Sequence, residues 1–114
     1  MSAFKDFVLL QLDRVPAVTA RAMFGGWGLY SASTFFGIVW KDVLYLRVGP
    51  DSAADYADRG MSPFKPFPGM TSKKYFEVPA DVLESGRELA EWAGRAVAAA
   101  ASAPKSRRKR RRTD

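Results

Sequence analysis

Chemistry in this chain of 114 residues must come from a short list of side chains, because cysteine and histidine are both absent. Without Cys there is no disulfide, no thiol nucleophile and no zinc finger. Without His there is no imidazole to activate a serine and none to anchor the usual transition-metal sites. Carboxylates, Lys and Tyr remain. Asp51, Asp55 and Asp58 fall at helical spacing, and Glu84, Glu88 and Glu91 cluster in the same way. Such groups can bind a hard cation or work as an acid/base pair. The same spacing also describes a solvated helix face, on which acids near the N-terminus answer the helix dipole. Arg87 and Arg95, each four residues from Glu91, suit ion pairing on that face. The solvated face is the stronger reading, so no catalytic residue, no metal ligand and no cofactor is expected.

The most distinctive stretch is Arg21-Ala22-Met23-Phe24-Gly25-Gly26-Trp27-Gly28. A phosphate loop needs its glycines ahead of a helix, where free amides and the helix dipole meet the anion. Here they run into a strand pattern, and no Lys-Ser or Lys-Thr follows. Glycines around an aromatic suit a positive φ, a bulge or a close backbone approach instead. Arg21, Met23, Phe24, Gly25, Gly26 and Gly28 are therefore read as structural.

The last cluster is electrostatic. Residues 1–104 carry eleven Lys or Arg and eleven Asp or Glu, so the net charge of +6 resides wholly in residues 105–114. Lys105, Arg107, Arg108, Lys109, Arg110, Arg111 and Arg112 attract any polyanion by counterion release without reading its sequence. No aromatic is interleaved among them, so base stacking is not expected of this tail. A solubilising terminus would look the same. Anionic lipid would call for an amphipathic or acylated anchor that the tail lacks.

Around these groups the hydrophobic pattern sets the elements. Phe4, Phe7, Val8, Leu12 and Val15 recur at helical steps behind a capping Ser2, predicting a first helix that stops before Pro16. The segment 20–23 leads into strands at 27–30, 34–40 and 43–48, the second of them nearly all apolar, as a central strand buried on both faces or one curled over the core would be. Asp51 or Ser52 starts a helix that Gly60 ends. Residues 61–72 form a Pro-rich loop carrying Phe64 and Phe67, read as a flap laid on the sheet, with partner contact as the sharper option. A strand at 74–78 follows. Ser85 and Glu88 then form a capping box for a last helix bearing Leu89, Trp92, Ala93, Ala96 and Val97 on one face. The order α-β-β-β-α-β-α is an α+β class, an antiparallel meander with helices packed on one face. The folded domain is expected at 1–103 and a disordered basic tail at 104–114. No apolar run approaches the ~20 residues that span a bilayer. The mixed charges of Lys5 and Asp6 do not suit a signal peptide, so a cytoplasmic location is expected and no membrane partner.

Arg21-x-Met23-Phe24-Gly25-Gly26-x-Gly28-Leu29-Tyr30 resembles the opening motif of the TfoX N-terminal domain family, named after a bacterial regulator of natural competence. Leu44-Tyr45-Leu46-Arg47-Val48, Gly60 with Pro63-Phe64, Tyr75-Phe76-Glu77-Val78-Pro79, then Leu89, Trp92 and Ala96 follow in the family's order. Three departures stand out: residues 31–33 lack the Gly expected in that turn, Gly37 sits where Ala is usual, and a basic tail stands where full-length competence regulators carry a second domain. The resemblance implies a compact antiparallel sheet flanked by helices, no known catalytic activity, and a link to transcriptional control of DNA uptake. The expected function is a non-enzymatic regulatory or accessory protein that binds an unidentified protein partner through its fold, while its tail touches nucleic acid nonspecifically. A homodimer stays open. The alternative is a small-molecule-binding or enzymatic domain using a pocket between the sheet and loop 61–72.

Overall fold

The computed structural model describes residues 3–23, 25–67 and 69–102. The elements run α1 (Ala3–Gln11), β1 (Val18–Met23), β2 (Gly26–Ser31), β3 (Thr34–Trp40), β4 (Val43–Arg47), α2 (Ala53–Asp58), β5 (Pro63–Phe67), β6 (Met70–Glu77), α3 (Ala80–Leu83) and α4 (Gly86–Ser102). The α+β class and the expected order hold, with β1, β5 and the short α3 joining the elements that periodicity marks. The six strands form one antiparallel sheet in the order β1-β2-β3-β4-β6-β5. The capping Ser2 and residues 104–114 of the expected tail lie outside the described residues.

Turn chemistry explains the meander. Two-residue hairpin links need positive φ to match strand twist, and Lys41 and Asp42 adopt it, at 52° and 61°. The pair thus makes the β3–β4 turn without the Asn-Gly sequence that favours it. Between β2 and β3, Ala32 takes a φ of 54°, and its amide donates to the Ala17 carbonyl at 2.9 Å. Residues 61–72, expected as a loop, are instead mostly the β5–β6 hairpin. Pro63 and Pro66 are compatible with that strand because β5 is an edge, where a missing N–H breaks no ladder.

All four helices cover one face. Val8 and Leu12, Tyr56, Val82, and Leu89, Trp92, Ala93 and Ala96 meet Leu29, Phe36, Val39, Leu44, Leu46 and Val78 of the sheet side in one buried cluster. Phe7, expected on the buried face of the first helix, is 39% exposed. α1 ends at Gln11, short of the expected stop before Pro16; Val8 of the helix and, in the turns that follow it, Leu12 and Val15 are buried, and Phe7 falls outside that narrower stripe. At the start of α4, Ser85 Oγ accepts from the Glu88 amide at 3.2 Å, the capping bond that the sequence pattern anticipates. Arg95 pairs with Asp55 of α2 rather than with Glu91.

A register shift at Leu29/Tyr30 leaves Phe36 without a partner in β2. Such a bulge puts two successive residues on one face. Phe36 and Gly37 both point to the helices, and a Cβ on Gly37 would stand 3.2 Å from Leu46 Cδ2 and 3.4 Å from Leu29 Cδ1. Phe35 and Ile38 are thereby sent to the opposite face. There a second, smaller cluster gathers Ile38, Phe64 and Tyr75 with Phe35, Trp40 and Tyr45 around them. β3 is therefore packed on both faces, as its apolar run requires.

Candidate functional site

The glycine motif forms the β1–β2 hairpin. Gly25 holds a φ of 83° in its turn. A Cβ on Gly26 would collide with the Val39 carbonyl, and one on Gly28 would meet Met23 Sδ at 2.6 Å and Phe35 Cε1 at 2.9 Å. Gly28 is thus the gap into which Met23 and Phe35 close. Phe24 lies outside the described residues. Beside this hairpin is an open cleft of about 620 Å³ bounded by Phe4, Gly26, Trp27, Lys41 and Asp42. Its two charges have opposite sign, and Lys5 lies over the Trp27 ring at 4.6 Å.

The pocket required by the small-molecule alternative, between sheet and residues 61–72, is occupied from within. Phe64 is 4% exposed. Its ring meets Tyr45 at 4.8 Å and Trp40 edge-on at 5.5 Å. For Phe64 the structure therefore has the flap arrangement; the Phe67 side chain lies outside the described set.

Next to this flap the helix-free face carries a ladder of rings and cations. Arg21 stands 5.4 Å over Tyr30, Tyr30 lies 5.2 Å from Phe35, Phe35 lies 5.7 Å from Tyr75, and Arg47 stands 5.9 Å over Tyr75. Strand alternation assembles it: Arg21, Tyr30, Tyr45, Arg47 and Tyr75 point away from the helices, while Leu29, Leu44 and Leu46 point toward them. Burial raises the Tyr75 phenol above its ordinary range, and Arg47 pulls it the other way, so it stays a neutral hydroxyl at physiological pH. Arg47 Nε is buried and has no hydrogen-bond partner among the described residues. Arg21, structural by its motif, thus stands at one end of a ladder with Tyr30, Phe35, Tyr75 and Arg47, which no local sequence motif joins. Their period-2 placement opposite the leucines was the available signal.

The helix layer holds the paired charges. Arg59 donates to both carboxylate oxygens of Asp81, at 3.0 and 2.9 Å, which lowers the Asp81 pKa. Arg59 and Arg95 both lie over the Trp92 ring, at 5.5 and 5.3 Å. Asp51, Asp55 and Asp58 do not converge, nor do Glu84, Glu88 and Glu91: no metal-ligating group of three forms among the described residues. On the outer side of α1, Leu10 is 73% exposed beside Phe7. No helix among the described residues is long and apolar enough to cross a membrane. Lys105, Arg107, Arg108, Lys109, Arg110, Arg111 and Arg112, the nucleic-acid candidates, lie outside the described residues.

The family model described as TfoX N-terminal domain matches residues 10–100. No curated protein matches the sequence.

Proposed function

The chain belongs to the TfoX N-terminal domain family, and from that membership we propose that it is a non-enzymatic regulatory or accessory domain that acts by binding a protein partner, with a role in competence or transcriptional regulation. The match across residues 10–100 carries this reading. The outer face of α1 supports it, because Leu10 and Phe7 are the large apolar side chains left open to solvent among the described residues. An exposed Leu can anchor a partner by burying about 1.5–3 kcal/mol of apolar side chain. The basic tail adds sequence-indifferent attraction to nucleic acid.

Capture from the native cells tests the reading. The wild-type chain should retain a partner that Leu10→Glu loses, with circular dichroism unchanged between the two. A captured set identical for both chains would remove α1 as the contact. Hydrolysis or transfer of a small substrate by the pure protein would overturn the non-enzymatic reading itself.

A further inference from the structure

Charge in the folded body is sorted by layer. The strands with their hairpin turns, residues 18–47 and 63–77, hold six Lys or Arg (Arg21, Lys41, Arg47, Lys65, Lys73, Lys74) against Asp42 and Glu77. The rest of residues 3–102 holds nine acids against five Lys or Arg. The neutral body is therefore a positive sheet backed by a negative helix layer. The ion pairs follow the same division: Lys5–Asp6, Arg59–Asp81 and Arg95–Asp55 all join residues of the helices or, at Arg59, of a helix cap. Among the described residues, Arg21 and Arg47 pair with no carboxylate. Each is held instead over a tyrosine ring.

We propose that the helix-free face of the sheet binds single-stranded nucleic acid along the strip Arg21–Tyr30–Phe35–Tyr75–Arg47. Tyr30 and Phe35, half-buried at their bases, offer rings on which unpaired bases stack, and buried Tyr75 backs Phe35 from below. Arg21 and Arg47, at the two ends, are placed for phosphates. Their current partners are neutral, ring faces and for Arg47 also the Tyr75 hydroxyl, so neither charge is neutralised within the body and both stay available to a phosphate. Open antiparallel sheets with surface aromatics read unpaired bases in this way, and stacking tolerates any base. A duplex hides its base faces and gains nothing from the rings. The strip is independent of the tail reading, because it makes its own distinction, single strand over duplex.

The test uses the full chain with a fluorescent homothymidine strand of about twelve nucleotides and a duplex of equal length. Wild type should bind the single strand more tightly than the duplex. Tyr30→Ala should weaken single-strand binding by about tenfold, within the range measured for one stacked base, and leave duplex binding unchanged. Tyr30→Phe should restore it, since the ring and not the hydroxyl does the stacking. Arg21→Glu, at an exposed position, should weaken the single strand and reduce its salt slope by about one phosphate contact or more. Equal affinity for single strand and duplex, or single-strand binding untouched by Tyr30→Ala and Arg21→Glu, would overturn the proposal and leave the face to a protein partner.

Discussion

At the scale of single residues, this chain places several L-amino acids where the backbone asks for glycine. Ala32 in the β2–β3 turn has a φ of 54°, a left-handed conformation that costs an L-residue about 1–2 kcal/mol. Glycine removes that cost but gives the unfolded chain more freedom, a loss of about 0.5–1 kcal/mol. The strain is the larger of the two, and Ala32 is exposed, so nothing else changes. Ala32→Gly should therefore raise stability by about 0.5 kcal/mol, read as a higher urea midpoint with an unchanged slope. A lower midpoint would show that the turn is not strained. The missing Gly in this turn was visible in the sequence as a departure, and the structure supplies its physical meaning. Gly28 shows the opposite case. Its need for smallness comes from Met23 and Phe35, five residues before and seven after it in the chain, and such crowding becomes visible only when the strands pair.

At the scale of elements, the parts with strong period were legible and the parts held by neighbours were not. The α4 stripe of Leu89, Trp92, Ala93 and Ala96 and the apolar run of β3 both predict their elements well. β5 hides behind Pro63 and Pro66, which normally argue against a strand, because its pairing with β6 makes it an edge. The β3 bulge was equally invisible, although it decides which aromatics face away from the helices. The β5–β6 hairpin is pinned to the sheet by Phe64, wedged between Trp40 and Tyr45. Removing a buried Phe ring costs about 3–5 kcal/mol in a core. In this smaller cluster Phe64→Ala should fall at the lower end, about 3 kcal/mol. Urea unfolding checks the size, and loss of the near-ultraviolet aromatic signal checks the place. A cost under about 1 kcal/mol would mean that the hairpin holds by its hydrogen bonds alone.

At the scale of the molecule, charge was legible along the chain but not across it. Summing residues 1–104 gives zero, which conceals a positive sheet opposite a negative helix layer, because acids of α2 and α4 cancel lysines and arginines that face elsewhere. Duplex DNA separates the two sources of attraction. The rings of the strip add nothing on a duplex, so duplex affinity should come from the seven cations of residues 105–112. If all seven met phosphates, the logarithm of the affinity would fall against the logarithm of salt with a slope of at most about −6, and fewer contacts would make it shallower. Deleting residues 105–114 should abolish this binding. It should also leave unfolding stability within about ±0.5 kcal/mol, since residues 105–114 hold seven cations and no apolar side chain to bury. Salt titrations of the intact and shortened chains on a random duplex, with melting curves for both, settle each part separately. A shortened chain that still binds duplex comparably would place the affinity on the positive sheet, while a fall in melting temperature of several degrees would show that residues 105–114 pack against the body.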